Sequence, residues 1–333
     1  MEISLFPQGN NANFEAFDKA DPALIEWIKN SAYSRYKTLD PSKPTLKLWH
    51  LNGGEQRVAP KQFLYTFYEC SSPTEEEVNI VKSQEHVFFS STESCEHFKN
   101  KGCNNVSFVP LGFDEDFCKT NKTYLGDDVI HFGLIGKFEK RKNTQRIIQI
   151  WLKKFGNNPK YQLTCLINNP FFTPEDYQKI IHNTVMGQRW TNLNLLPPLK
   201  TNSEVNEVLN AIDVDLGGLS ASEGHNLPSY NATALGKWSI VANHTAHRDW
   251  ATKDNCILVE PTGRISADDG FFFRNGEGVP FNQGDFYNIS DNQMSEVMDA
   301  SLQFAKTPNP EGEKLREQFT YENTIDQILE RMA

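Results

Sequence analysis

No run of 18 apolar residues occurs anywhere in the 333-residue sequence, so no membrane-spanning helix is expected. The opening Met1-Glu2-Ile3-Ser4-Leu5-Phe6-Pro7 lacks a basic stretch followed by a long apolar segment, so no signal peptide is expected. Cysteine is sparse and scattered: Cys70, Cys95, Cys103, Cys118, Cys165 and Cys256 include no C-x-x-C pair. That spacing gives no zinc site and reads as reduced thiols, which points to a cytoplasmic protein. Sequons such as Asn121-Lys122-Thr123 carry no weight in that setting. Positive charge is in deficit, 33 Lys and Arg against 43 Asp and Glu, which disfavours a surface built to coat nucleic acid. A local basic cleft remains compatible with this balance. No G-x-x-x-x-G-K-[ST] spacing exists, so there is no Walker loop, and no short repeat or low-complexity segment is visible. Apolar residues make up 38% of the chain, enough to bury a core, and the length suits two domains.

The elements alternate. Glu2–Phe6 reads as a first strand and 21–36 as a helix opened by Asp21-Pro22. Strands follow at 45–51, 62–68, 86–90 and 106–109, with helices at 75–83 and 93–101 between them. A polar stretch, 118–128, reads as a linker. The pattern then restarts, with strands at 129–135, 161–167 and 193–196 and helices at 144–155, 174–186 and 203–211. The apolar run Ile212–Leu219 reads as a strand ending at Gly217-Gly218, followed by a helix closed by Gly236 and by strands at 238–242 and 256–259. Residues 262–290 read as an irregular loop, and 291–305 and 310–332 as closing helices. Such alternation implies an α/β protein with parallel sheets and a cleft at the carboxyl ends of the strands. The expected division is a first domain over 1–123, joined by a final helix within 314–333, and a second over 124–313.

Two βα turns stand out. The first is Ser220-Ala221-Ser222-Glu223-Gly224-His225-Asn226-Leu227-Pro228, between a strand and a helix. A helix N-terminus offers free N–H groups and a favourable dipole to an anion, and Glu223 can accept hydrogen bonds from sugar hydroxyls. The same stretch also reads as an ordinary βα turn with a surface Glu. The second is Gly136-Lys137-Phe138-Glu139-Lys140-Arg141-Lys142-Asn143, in which four cations crowd one turn before a helix. Fixed positive charge and a helix N-terminus together suit a diphosphate, although a lone cluster is also readable as a solvated charge run.

In this order, the two turns resemble the nucleotide-binding half of family-4 glycosyltransferases, which have the GT-B fold of two Rossmann-like domains facing each other across a cleft. Gly136, Lys137, Lys142 and Asn143 match the family's G-[RK]-x(4)-K-[GN]. Ser220, Glu223, Gly224, Leu227, Pro228, Ala232, Ala234 and Gly236 match its S-x-x-E-G-[FWY]-G-[LP]-P-x-x-E-A-x-A-x-G. Ser90-Ser91 and Val109-Pro110-Leu111-Gly112-Phe113-Asp114 with Phe117 look like the end of its first domain. The resemblance covers roughly residues 85–260. It implies that Gly136, Lys137 and Lys142 grip the donor diphosphate, that Glu223 binds donor-sugar hydroxyls, and that N–H groups of Gly224, His225, Asn226 and Leu227 cap the same sugar and phosphates. Asn168, after strand 161–167, is a further candidate donor contact. The family's second Glu, which holds the ribose diol, is here Asn231, and Asn226 replaces a Gly. The family's glycine-rich loop in the first domain has no clear counterpart; Asn52-Gly53-Gly54 and Gln8-Gly9-Asn10 are substitutes.

His50, at the carboxyl end of a strand in the first domain, is a candidate for polarising the donor phosphate or touching the sugar, and equally a packed or solvent-facing His. His244, His247, Arg248 and Asp249 are candidates for the nucleotide side. Asp213-Val214-Asp215 and Asp114-Glu115-Asp116 read as structural rather than metal-binding. The expected activity is transfer of a hexose or pentose from a UDP- or GDP-linked donor, with retention and without metal or other cofactor. The acceptor, whether glycan, lipid-linked or other, is not legible; modified DNA is disfavoured by the acidic balance. A GT-B phosphorylase or epimerase is a weaker match to the motif order, and a catalytically degenerate sugar-nucleotide-binding protein is the alternative kept open by Asn231.

Overall fold

Strands and helices alternate along the chain in the computed structural model, which describes residues 3–7 and 14–333. Gln8-Gly9-Asn10 and Glu2 lie outside the described residues, and Ile3–Pro7 contains no strand. Helix α1 (Pro22–Thr38) opens on Asp21, whose side chain accepts from the Ala23 N–H. The first sheet has four strands in the order β1 (Thr45–Leu48), β2 (Gln62–Thr66), β3 (His86–Phe89) and β4 (Val106–Phe108), all parallel. Helix α2 (Glu75–Ser83) starts with the reciprocal Thr74–Glu77 capping box, and α3 (Thr92–Asn100) starts with Ser91 accepting from the Ser94 N–H.

Residues 118–128 contain no helix or strand. The second sheet comprises β5 (Ile130–Ile135), β6 (Tyr161–Leu166), β7 (Leu193–Leu195), β8 (Val214–Asp215), β9 (Trp238–Ala242) and β10 (Ile257–Val259). Its order is β10-β9-β8-β5-β6-β7, again all parallel. Between the strands run α4 (Thr144–Phe155), α5 (Pro174–Thr184), α6 (Asn202–Ala211) and α7 (Leu227–Ala234). The amphipathic α4 buries Ile147, Ile148, Trp151, Leu152 and Phe155 against Phe132 and Leu163 of the sheet. Strand order reverses beside β5, so the crevice outside the carboxyl ends of β5 and β8 is the topological switch point, where ligands of open α/β sheets bind.

The expected strand over Ile212–Leu219 is only two residues of β8. Gly217–Leu219 instead forms a 3₁₀ turn, because the chain passes under β9 so closely that a Cβ on Gly218 would lie 2.4 Å from the Ile240 carbonyl oxygen. Residues 262–290 are not wholly irregular: β11 (Gly263–Ser266) and β12 (Asp285–Asn288) pair as an antiparallel hairpin. Its long loop straps onto the first half, with the Asp285 N–H donating to Ser71 Oγ (2.9 Å), Asn282 N–H to Glu77 Oε1 (2.8 Å) and Thr74 Oγ1 to the Pro280 carbonyl (2.6 Å).

The closing region is broken into α8 (Asp291–Ala300), α9 (Pro310–Glu313), α10 (Leu315–Gln318) and α11 (Tyr321–Met332). The break at Phe319-Thr320 is made by the first half: the Phe113 N–H donates to the Phe319 carbonyl at 2.8 Å, and Thr320 caps α11. Ile328 of α11 covers Phe63, Tyr65, Phe88 and Val109 on one face of the first sheet. No helix of the described residues is long and apolar enough to cross a membrane.

Candidate active site

The turn after β5 begins at Gly136, whose φ of 148° is available chiefly to glycine. The alkyl chain of Lys142 lies against this residue, with its Cδ 3.4 Å from where a Cβ would sit. Asn143 ends the turn in the left-handed region at φ 53°, a conformation Asn tolerates, and α4 starts from it. Its side-chain amide donates to the Leu219 carbonyl at 2.9 Å and so ties this turn to the one after β8. The four cations separate by direction. Lys137 is exposed, its ammonium 5.5 Å from the centroid of the Phe171 ring, and Lys140 donates to the Asp268 carbonyl at 2.6 Å. Arg141 and Lys142 turn inward. A narrow crevice, without room for a water molecule, lies here between Gly136, Lys137, Lys142, Thr144, Ile167 and Gly217.

The second turn brings Glu223 onto these cations. Lys142 Nζ lies 2.7 Å from Glu223 Oε1, and Arg141 Nη1 lies 2.9 Å from Oε2. Burial pushes the Glu223 carboxyl up, but Arg141 and Lys142 more than offset it and hold the group below the usual carboxylate range. Burial likewise opposes the charge on Arg141, and Glu223, Glu69 and Glu139 overcome it. The Glu223 N–H donates to Thr245 Oγ1 at 3.1 Å. Asn226 starts α7 in the left-handed region at φ 71°. The N–H groups of Gly224, His225 and Asn226 meet no acceptor among the described residues, which leaves a helix N-terminus with free donors beside the cations.

Buried polar atoms without partners gather at the same place. Of nine such side-chain atoms among the described residues, six belong to Asp215, Ser220, His225, Asn226, Ser229 and Asn231. Unpaired buried polar groups are uncommon and costly, so a concentration of them marks a place where a polar ligand or water completes the bonding. His225 is buried against the Tyr230 ring at 4.8 Å, and burial holds it neutral, down to about 4. Asp215 is buried behind Gly217. Burial pushes its carboxyl up to about 6, and the Gly217 N–H, donating at 3.1 Å, with neighbouring hydroxyls, offsets this only in part.

Gly136, Lys142 and Glu223 therefore meet around the switch point, Gly224 and His225 follow Glu223 directly, and Lys137 lines the mouth, while Asn231 is buried within α7. Other expected residues lie differently. Asn226 turns inward, its amide donating to the Gly217 carbonyl (3.2 Å) and to His247 Nε2 (2.9 Å). Asn168 is half-buried and donates to the Leu196 carbonyl at 3.4 Å. The Leu227 side chain is exposed. His50 is exposed, its ring edge-on to Trp49, and no hydrogen bond, ion pair or ring contact joins it to Glu223 or Lys142. His244 and His247 are packing residues: His244 stacks on Tyr287 at 4.7 Å and donates to the Ser220 carbonyl, and His247 bonds to the Ala242 carbonyl. Arg248 and Asp249 meet the first half at Glu93 (3.4 Å) and the Thr92 N–H (3.0 Å). Asp213 Oδ2 accepts from the His131 N–H, and Asp114 Oδ1 accepts from the Asp116 N–H. No group of three or more His, Cys, Asp or Glu that could hold a metal occurs among the described residues. Arg141 is the residue that sequence reasoning did not select; in a run of four cations, only the direction of the side chain distinguishes it.

The sequence matches no family model and no curated protein. The structure is similar to sucrose-phosphate synthase from Thermosynechococcus elongatus, with a TM-score of 0.65 and 13% identity over 93% of this chain and 76% of that one. It is also similar to trehalose-6-phosphate synthase OtsA, with a TM-score of 0.64 and 12% identity over 93% of this chain and 77% of that one. Against HepE of Anabaena in complex with UDP the TM-score is 0.58, with 13% identity over 81% of this chain and 71% of that one. The chain has the GT-B fold shared by these proteins.

Proposed function

We propose that the chain is a glycosyltransferase of the family-4 type, moving a hexose or pentose from a nucleotide-diphosphate sugar to an acceptor hydroxyl with retention and without metal. The observation that carries this reading is the meeting of two turns at the switch point of the second sheet, with Lys142 2.7 Å from Glu223 and free N–H groups beside them. Lys137, Lys142 and the turn at Gly136 supply positive charge for the diphosphate, and preorganised charge of this kind stabilises a leaving group without a metal ion. Glu223 is ionised and accepts from hydroxyls of the transferred sugar. His225 and the N–H groups at the start of α7 border the same sugar and phosphates, and Asn231 meets the ribose diol as both donor and acceptor. As the bond from the anomeric carbon to the diphosphate breaks, the acceptor oxygen bonds to that carbon on the same face. A phosphate oxygen takes the acceptor proton. Similar structures that carry UDP and UDP-glucose support a UDP-linked donor, with GDP-linked donors as the second set to test.

A thermal-shift series with UDP-, GDP- and ADP-sugars, followed by donor hydrolysis and transfer assays with and without EDTA, tests this reading. The expected result is stabilisation by one nucleotide class and turnover that survives chelation. Activity abolished by EDTA and restored by manganese overturns the metal-free account. The other reading is a silent sugar-nucleotide-binding protein, supported by the amide at Asn231 and by the burial of Glu223, 4% exposed. A donor that binds and is neither hydrolysed nor transferred assigns it.

A further inference from the structure

Arg141 and Lys142 hold the two oxygens of Glu223 in different ways. Arg141 is anchored: its guanidinium also reaches the Ser222 carbonyl and Glu139 Oε2, the latter at 3.2 Å. Lys142 has one partner among the described residues, Glu223 Oε1. Its side chain keeps 16% of its surface exposed against 8% for Arg141, and it lines the crevice at Gly136 while Arg141 does not. An ammonium on a flexible stem is a point charge that changes partners easily, whereas a planar guanidinium shared among three acceptors is fixed. An anion entering beside Gly136 therefore passes Lys137 at the mouth and, of the two inward cations, meets Lys142 as the one able to change partners.

Resting on the donor-binding reading above, we infer that Lys142 is an exchange ligand. Without nucleotide it neutralises Glu223 Oε1; when a nucleoside diphosphate binds, it moves to the phosphate and releases that oxygen to a hydroxyl of the sugar. Arg141 remains on Oε2, so Glu223 stays ionised and in place throughout. The exchange imposes an order in which the diphosphate end of the donor opens the sugar-binding end.

Phosphate and Glu223 then compete for one ammonium, so removing the carboxylate strengthens diphosphate binding. Calorimetry with UDP and with GDP on the full chain tests this. Glu223→Gln is expected to bind whichever diphosphate the wild type binds roughly three- to tenfold tighter. Glu139→Gln removes the same charge from the other side of Arg141 without touching Lys142, and is expected to change affinity by less than about twofold. In a Lys142→Met background, Glu223→Gln is expected to gain nothing. Equal gains in Glu223→Gln and Glu139→Gln assign the effect to charge at a distance and overturn the exchange. A gain that persists without Lys142, or no gain at all, overturns it too. If Glu223→Gln does not fold, the wild-type crystal structure with the diphosphate decides the question. Exchange requires Lys142 Nζ on a phosphate oxygen and beyond about 4 Å, the ion-pair limit, from Glu223 Oε1. A wild type that binds neither UDP nor GDP removes the donor-binding reading and the exchange with it, whereas binding without the gain removes the exchange alone.

Discussion

Ser90 Oγ donates a 2.6 Å hydrogen bond to the Gly224 carbonyl, so the two halves of the molecule meet at the residue after Glu223. The approach is close on the other side as well. A Cβ on Gly224 would lie 2.9 Å from the Cβ of Phe67, an atom that cannot move without its backbone. Gly224→Ala is therefore expected to destabilise the protein by about 1–3 kcal/mol, the usual scale for overpacking. Urea denaturation checks this, and an unchanged midpoint would show that the halves yield freely at this contact.

Glu223 and Asn231 are expected to fail differently. Glu223 is assigned to the sugar, whose charge changes during reaction, so Glu223→Gln is expected to lower turnover at least tenfold, equivalent to about 1.4 kcal/mol. Asn231 is assigned to the nucleoside, which does not react, so Asn231→Ala is expected to raise the donor KM with little change in kcat. Steady-state kinetics on both variants decides this; full turnover in Glu223→Gln reduces the loop to a structural turn.

His86, His131, His225, His244 and His247 are all buried and held below the usual imidazole range, which sets an acid limit. Burial holds His225 and His247 down to about 4 and His244 down to about 3. With the unfolded value near 6.5, the unfolded chain binds protons that the folded chain refuses. Stability is thus fully present above about 6.5 and is lost as pH falls toward about 4, with a slope of at most about 1.4 kcal/mol per pH unit for each histidine. Urea titrations at about pH 8, 6 and 5 are expected to show a plateau and then a decline, shallower in His225→Gln. A stability that holds level to pH 5 would contradict the neutral, buried state of these rings.

Asp215 works in the opposite sense. Its folded value is raised, so it favours folding while protonated, and that contribution is lost as pH rises through about 6. Asp215→Asn is expected to be more stable than wild type by about 1–3 kcal/mol at about pH 8 and no more stable at about pH 4. Denaturation at the two pH values checks it; a variant destabilised at pH 8 would mean that the carboxylate is bonded more fully than its unpaired Oδ2 indicates.

The alternation of elements was legible because the central strands β2, β3, β5 and β9 are buried runs and the helices between strands start at capping residues: Thr74 and Thr201 each form a reciprocal N-terminal cap, with Glu77 and Glu204 respectively. The pairing of β11 with β12 was not. Every residue of β11 is exposed, so no alternation of apolar and polar side chains marks it as a strand. β8 was overestimated for the converse reason, since a 3₁₀ turn buried on all sides carries the same apolar composition as a strand. In the site, residue types and spacing pointed to Lys142 and Glu223. The inward turn of Arg141 depends on acceptors 81 and 82 positions away, Ser222 and Glu223, which no local pattern encodes.

The bridge between Phe113 and Thr320 has a consequence for how the chain is made. The first sheet is complete in sequence by Phe108, yet one of its faces is covered by Ile328. During synthesis this face waits, apolar and uncovered, while more than two hundred further residues emerge from the ribosome. The second sheet has all its strands by Val259 and is covered by Met294, Val297, Met298 and Leu315, so its wait is shorter. Translation therefore favours a nascent chain in which the half encoded later finishes first.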